Sequence, residues 1–326
     1  MSKTENSSSP GSKSPSRYES GPNSPYHTPV LLKEAIDGLK IAPNGIYVDC
    51  TFGGGGHSKA ILERLAASGK LVAFDQDEDA KKNLPSDERL IFIQQNFRHL
   101  QRFLQLHNIS VVDGILADLG VSSHQFDEPQ RGFSTRFNAG LDMRMDRRES
   151  KTAFNVISTY GQSELHKLFE RYGEITNAKT LAKTITEVRE TVPLRTVDDL
   201  KNALRGIVKG NPKKYFAQVF QALRIEVNDE IGALKEMLQE VPHLLKPGGR
   251  VAIITFHSLE DRLVKNFFRY GTVEQLEENP FSTAAPVKEL KMVTKKPITP
   301  GENEKKRNPR SASAKLRVAE KRMSNE

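Results

Sequence analysis

Three kinds of residue in this chain stand where chemistry could be done. Four consecutive glycines, Gly53 to Gly56, are followed at once by His57 and Ser58. Asp75 lies 22 residues beyond Gly53, and Asp118 opens the run Asp118-Leu-Gly-Val-Ser-Ser123. Glycines between a strand and a helix let the backbone approach a ligand, and the helix start offers free N–H groups. A flexible surface loop is the plainer reading, but four glycines there are costly to order without a ligand. An acid at the next strand end accepts hydrogen bonds from a ribose diol. Asp118 suits an acceptor for an exocyclic amine and equally suits a turn cap. No Gly-Lys-Ser/Thr follows four spacers, so a phosphate P-loop is excluded. The dinucleotide fingerprint is met from Gly53 and Gly55 by Ser58, whereas Gly54 and Gly56 put Lys59 at the small-residue position. A sulfonium cofactor has no pyrophosphate, and needs backbone approach, a diol acceptor and carboxylates such as Asp49 and Asp75 nearby.

Two further runs carry polar side chains, Leu141-Asp-Met-Arg-Met-Asp146 and Phe256-His-Ser-Leu-Glu-Asp-Arg262. In the second, Ser258, Glu260 and Asp261 suit helix capping. His257 suits an acid, a base or a phosphate contact, and equally a structural hydrogen bond. Histidine and cysteine are not spaced as metal ligands, and no obligate metal is expected. Spacing alone assigns no Ser/His/Asp triad.

These residues need elements to position them. Ile46 to Phe52 reads as a buried strand, and 57 to 67 as a helix with Ile61, Leu62 and Leu65 on one face. Strands follow at 70–75, 90–95 and 112–118, with helices near 77–84 and 98–107. An amphipathic helix starting near Pro29 precedes them. Strands that each lead into a helix predict right-handed βαβ units, a parallel sheet, and a ligand at the carboxyl ends of its strands. The pattern stops over 127–215, where helices are predicted near 152–159, 162–171, 175–189 and 196–208. It resumes with one long helix over 215–241, a strand over 250–256, a helix over 259–269 and a possible strand at 289–294. The reading is therefore an α/β domain, 26–126 with 216–300, interrupted by a helical insertion, 127–215. A Ser/Pro-rich extension, 1–25, is expected to be disordered, and 301–326 to form a basic tail.

The chain has 326 residues and a net charge of +8. Residues 282–326 hold twelve Lys or Arg and five Glu, so +7 of that charge falls there. That suits polyanion binding or a solvated tail. The single cysteine, Cys50, excludes an intramolecular disulfide and a thiol-rich metal site. No apolar run is long enough to span a bilayer, and the polar start lacks a signal-peptide core. A cytoplasmic protein with no membrane partner is expected.

Taken together, the motifs resemble those of the MraW (RsmH) family of 16S ribosomal RNA cytosine-N4 methyltransferases. The resemblance is carried by His27-Thr-Pro-Val-Leu-Leu, Asp49-Cys-Thr-Phe-Gly-Gly-Gly-Gly-His-Ser, Asp118-Leu-Gly-Val-Ser-Ser, Arg131-Gly-Phe-Ser and Leu141-Asp-Met-Arg-Met-Asp. It continues in Phe220-Gln-Ala-Leu-Arg-Ile-Glu-Val-Asn, Phe256-His-Ser-Leu-Glu-Asp-Arg and Asn308-Pro-Arg-Ser-Ala-Ser-Ala-Lys-Leu-Arg, so that it spans about residues 26–322. It implies a class I S-adenosylmethionine-dependent methyltransferase fold, a Rossmann-like doubly wound sheet, with an all-helical insertion that recognises the substrate. It implies S-adenosylmethionine as cofactor and 16S rRNA in the small ribosomal subunit as partner. By matching positions, the cofactor contacts fall on Gly55, Gly56, His57, Asp75, Phe97, Asp118 and Gln125. Phe97 and Gln125 follow from the resemblance alone. Asp118 is the candidate catalytic residue. The insertion, the Arg131 to Arg148 loop and the basic tail are the candidate RNA surface. Gly54 and His124 depart from the family pattern, in which a larger residue and a proline are common. The acidic-Pro-Pro-aromatic signature of other amino-methyltransferases is absent. A nicotinamide oxidoreductase on the same sheet, and a non-catalytic RNA-binding module, are the competing readings.

Overall fold

The computed structural model describes residues 29–273 and 288–323. The expected extension over 1–25 lies outside the described residues, as do His27 and Thr28. The chain opens with α1 (Leu32–Leu39), β1 (Ile46–Asp49), α2 (Gly56–Leu62), β2 (Lys70–Phe74), β3 (Leu90–Ile93), α3 (Leu100–Leu106) and β4 (Val112–Asp118). After β2, Glu78–Asn83 is 3₁₀ where a helix is expected near 77–84; after β3, one 3₁₀ turn, Phe97–His99, leads straight into α3, the helix expected near 98–107. The side chains of Asp77 and Asn96 cap the first N–H groups of these segments.

After β4 come α4 (Ser123–Asp127), α5 (Ala153–Thr159), α6 (Gln162–Gly173), α7 (Ala178–Arg189) and α8 (Val197–Leu204). These four later helices are amphipathic and close on a core of their own. In α6, Leu165, Leu168 and Phe169 fall at helical spacing and are buried. Each such side chain contributes about 1.5–3 kcal/mol of burial. That core runs from Phe133 to Val227, so it takes in most of the next helix, α9 (Pro212–Asn228). α10 (Glu230–Leu244) then returns to the sheet.

The single long helix expected over 215–241 is thus two helices. Asp229 between them is left-handed, with φ 48°. Asn228 turns its side chain away to donate to the Met143 carbonyl and accept from the Met145 amide, at 2.8 and 2.7 Å. The break therefore lets one chain segment serve two cores.

The last elements are β5 (Leu245–Thr255), α11 (Ser258–Tyr270), β6 (Leu290–Met292), α12 (Glu302–Arg307) and β7 (Lys315–Lys321). The sheet order is β3-β2-β1-β4-β5-β7-β6. β1 to β5 pair in parallel, and β7 runs antiparallel to both β5 and β6. Residues 301–323 are therefore not a free tail. Leu316, Val318 and Ala319 are buried within the sheet. The basic composition hid this strand, because Lys315 and Arg317 pair with Asp261 instead of facing water freely.

Strand order reverses between β1 and β4, whose residues Val48 and Ile115 are paired. A crevice opens at the carboxyl ends of strands at such a switch point. Asp49 and Asp118 end the two strands that flank it. No helix among the described residues is long and apolar enough to cross a membrane.

Candidate active site

The glycine loop is a fixed turn. Gly53 and Gly55 have φ of 50° and 76°, a region costly for any residue with a Cβ. At Gly56 a Cβ would stand 2.2 Å from Cγ of Pro29, so only glycine lets the start of α2 lie against the N-terminal segment. Gly54 is different: a Cβ there meets nothing, so the larger residue common in the family would be accommodated. Asp49 is fully buried and locks the loop, accepting from the Thr51 amide at 3.0 Å and the Ser58 hydroxyl at 2.7 Å. Asp75 accepts from the Gly53 amide at 2.7 Å and the Asp77 amide at 2.8 Å. Enclosure of its carboxyl group still pushes its pKa up to about 7.

His57 and Asp118 face each other across the crevice. Nε2 of His57 donates to the Val30 carbonyl at 3.2 Å, which turns the Nδ1 lone pair toward Asp118 Oδ2, 3.7 Å away. Burial pushes the His57 pKa down. The Asp118 amide donates to the Thr51 hydroxyl at 2.7 Å. Its carboxyl group is desolvated, with Asp49 and Glu260 adding like charge, so its pKa lies well above the usual range. Oδ1 of Asp118 is buried with no hydrogen-bond partner among the described residues. A buried acceptor without a partner carries a free-energy cost, and is the mark of a group waiting for a ligand.

The other two expected contacts are placed differently. Phe97 begins the 3₁₀ turn after β3 and packs partly buried on the sheet core. Gln125 is buried at the third position of α4, where it completes a capping box with Ser122. Its Nε2 donates to Asp77 Oδ2 at 2.7 Å. The same oxygen pairs with Arg131 Nη1 at 2.8 Å, and Arg131 also reaches Asp79 at 3.1 Å. Its other nitrogen donates to the carbonyls of Arg144 and Met145, at 2.9 and 3.2 Å. Asp77 and Arg131 were not singled out from the sequence as a pair. The available signal was the placement of Asp77 two residues after Asp75, and of Arg131 at the head of Arg-Gly-Phe-Ser. Arg131 is 2% exposed, so it serves the site from within and is not an RNA-facing cation. His124, where proline is common in the family, approaches Asp79 at 3.3 Å.

The Phe256 to Arg262 run is a junction. Ser258 and Arg262 both donate to Glu174 at the end of α6, at 2.8 and 2.9 Å. Glu230, His257 and Glu260 bring their ligand-type atoms within 4.8 Å of one another. Most of those atoms are engaged within the cluster, while Nε2 of His257 is buried with no hydrogen-bond partner among the described residues. Arg224 forks onto Glu230 at 2.8 and 3.0 Å. Nδ1 of His257 accepts from the Glu260 amide, which leaves the proton on Nε2 beside Glu260 Oε1 at 3.1 Å. Burial alone would raise the Glu260 pKa, but His257, Arg224 and the Phe256 amide bring it below the ordinary value.

A doubly wound sheet with an antiparallel β7, a glycine turn after β1, an acid after β2 and a buried acid after β4 define a class I S-adenosylmethionine-dependent methyltransferase. The chain matches the MraW methylase family over residues 24–322 and belongs to it. It is 52% identical over 299 residues to a protein of Flavobacterium johnsoniae named ribosomal RNA small subunit methyltransferase H, covering 91% of this chain and 98% of the relative. A protein of the same name from Bacteroides thetaiotaomicron is 51% identical over 300 residues, covering 91% of this chain and 98% of its own. Among solved structures, an rRNA methylase from Streptococcus thermophilus is 12% identical with a TM-score of 0.37, covering 90% of this chain and 94% of the other. That likeness is too loose to align residues. The site is compatible with the cofactor on its own terms: a turn that needs glycine at 53, 55 and 56, an acid, Asp75, just after β2, and a desolvated carboxyl group with a free acceptor atom at Asp118.

Proposed function

We propose that this protein methylates the exocyclic N4 amine of a cytidine in the decoding region of 16S rRNA, within the cytoplasmic small ribosomal subunit. The observation that carries the reading is the partnerless Oδ1 of Asp118 at the end of β4. An exocyclic amine presents an N–H that such an acceptor would take. The name shared by the relatives supports ribosomal RNA as substrate.

In this reading Gly55, Gly56 and His57 line the cofactor, Asp75 takes its ribose hydroxyls and Phe97 its adenine face. Gln125 acts through Asp77, holding the loop after β2 against α4. The cofactor supplies an electrophilic methyl group on a sulfonium. Asp118 accepts one N–H of the amine with Oδ1 and turns the nitrogen lone pair out of conjugation with the ring. As the N–C bond forms, the electron pair of the S–C bond goes to sulfur, and the amine proton passes to Asp118 or to water. His57, anchored on Val30, lies beside this carboxyl group, with Nδ1 3.7 Å from Oδ2. Most of the rate gain comes from positioning. The target base must be unstacked to enter the crevice. The helical insertion and exposed cations such as Arg136 and Arg147 form the RNA surface.

The test is transfer of labelled methyl from S-adenosylmethionine to small-subunit RNA, followed by nucleoside analysis. Label on N4-methylcytidine supports the assignment. Label on adenine or on ring carbon 5 defeats it, and tight nicotinamide dinucleotide binding would favour the oxidoreductase.

A further inference from the structure

A cavity of about 340 Å³ opens between α8 and the start of α9, away from the crevice described above. Its lining combines the cations Lys201 and Arg205, the amide Asn202 and the half-buried ring of Phe216. Lys209, Lys213 and Lys214 flank it in the chain and are exposed. Against them stands one lining carboxylate, Asp198, which Lys201 already approaches at 3.3 Å. Among the described residues no carboxylate pairs with Arg205, whose guanidinium donates only to Asn202 at 2.9 Å. The excess of positive charge beside an aromatic face excludes a cationic or purely apolar occupant, and fits a nucleotide.

A series of pairwise contacts links α4 to the cavity rim. Arg310 stacks over Phe126 of α4 and shares the carboxylate of Asp127 with Arg136, so two cations meet one charge. Arg136 in turn covers the exposed ring of Phe137. The next residue, Asn138, accepts from the Asp198 amide at 3.2 Å, and Lys201 donates to the Thr135 carbonyl at 3.3 Å. The loop 135–139 is thereby bound to the first turns of α8, at the cavity rim. Cations alternating with aromatic rings along a path are what an unpaired nucleic-acid strand needs, phosphates on the cations and bases on the rings.

We infer that the α8–α9 cavity is a subsite for one unstacked nucleotide of single-stranded RNA that leads away from the target base. Phe216 stacks on that base, and Arg205 with Lys201 takes its phosphate. This rests on the RNA reading above and adds to it where the strand runs. Because stacking tolerates any base, the subsite reads reach and single-strandedness rather than sequence.

The experiment compares binding of a fluorescent trinucleotide with that of a single-stranded RNA of about 12 nucleotides, within the range of known single-strand site sizes. The intact protein is expected to bind the longer RNA more tightly. Phe216→Ala should reduce that gain by about tenfold, the usual scale for losing one stacked base. Arg205→Glu, at an exposed position, should reduce it similarly and lower the salt slope by about one. Neither should change S-adenosylhomocysteine affinity or trinucleotide binding. A wild-type protein that methylates small-subunit RNA but shows no gain with length overturns the inference and leaves the reaction standing. Equal losses on both RNAs overturn it too, as does an acidic peptide that occupies the cavity without displacing RNA. No methylation of small-subunit RNA by the wild type would instead remove the reading on which it rests.

Discussion

Aspartates are held in opposite ways in two neighbouring regions. At the strand ends, Asp49, Asp75 and Asp118 are desolvated and their pKa values are raised. In the loop after Arg131, Asp142 and Asp146 also lose solvent, yet their pKa values fall below the ordinary value. Each is gripped by the arginine two residues on, Asp142 by Arg144 and Asp146 by Arg148, with side-chain distances down to 2.8 and 2.7 Å. The motif Leu-Asp-Met-Arg-Met-Asp is thus a self-neutralising turn. It presents the carbonyls of Arg144 and Met145 to the buried Arg131. The difference teaches where a ligand's positive charge belongs. Among the described residues no lysine or arginine pairs with the strand-end acids, so in the proposed reading a sulfonium completes them. The loop acids are complete already, and their task is to hold a scaffold.

The comparison is broken most directly at Asp118. Asparagine keeps the shape of a carboxyl group that burial already disfavours as an anion, so the fold should be retained. Methyl transfer should fall by roughly 10³-fold, within the range for removing a positioned proton acceptor, and affinity for S-adenosylmethionine should fall more than that for S-adenosylhomocysteine, which lacks the sulfonium charge. Full turnover by Asp118→Asn would return Asp118 to the role of a turn cap. Next in size is Arg131→Met. It takes the buried cation away from Asp77, which keeps Gln125, and from Asp79, which keeps Lys82 and His124, and should cost about 3 kcal/mol in denaturant unfolding. Arg131→Lys should rescue little, since one ammonium cannot reach two carboxylates and two carbonyls at once. If Arg131→Met is neutral, the loop is not the scaffold claimed for it. Gly56→Ala is smaller again. Its methyl would overlap Pro29, and overpacking of this kind costs about 2 kcal/mol. Gly54→Ala, where nothing stands in the way, should be harmless in the same thermal scan.

The strands β1, β2 and β4 were legible because parallel strands buried on both faces read as short apolar runs, and each ended at or beside an acid, Asp49, Asp75 or Asp118; β3, partly exposed, was legible from its apolar run alone. Gly53 to Gly56, Asp75 and Asp118 were legible for the same reason: they mark strand ends. The last strand was not. Lys315 and Arg317 look like a solvated tail until Asp261, 54 and 56 residues earlier, is seen to pair with both. A removal of residues 303–326 would therefore take a strand out of the sheet rather than trim a surface. The bend at Asp229 was hidden for a related reason, because the helical pattern is apolar on both sides of it and only the partners of Asn228 show the break. Arg131 read as a surface cation because its two carboxylates lie in a loop some 50 residues away in sequence, at Asp77 and Asp79. In each case the local pattern was sound and a distant partner decided the outcome.

The finest test of the contrast between the two regions uses pH. In the ligand-free protein burial pushes the Asp75 pKa up to about 7, and desolvation with the like charge of Asp49 and Glu260 raises that of Asp118 well above the ordinary carboxyl range. A carboxyl group with a raised folded-state pKa contributes stability that is fully present below its unfolded value of about 3.9 and is lost as pH rises through about 7. The ligand-free melting temperature should therefore decline from pH 5 to pH 8 through these groups. A bound cation favours the ionised forms, so affinity for S-adenosylmethionine should rise with pH up to about 7, by at most about tenfold per unit for each proton released. S-adenosylhomocysteine lacks the sulfonium charge, and its affinity should rise less steeply over the same window. Calorimetry in buffers of different ionisation heat reads the proton directly, and Asp75→Asn should flatten the slope near 7. Asp142→Asn should not, because that acid is ionised throughout the window. Equal slopes for the two cofactors would mean that the strand-end acids do not respond to the methyl donor's charge, and the distinction between the two sets of aspartates would lose its functional meaning.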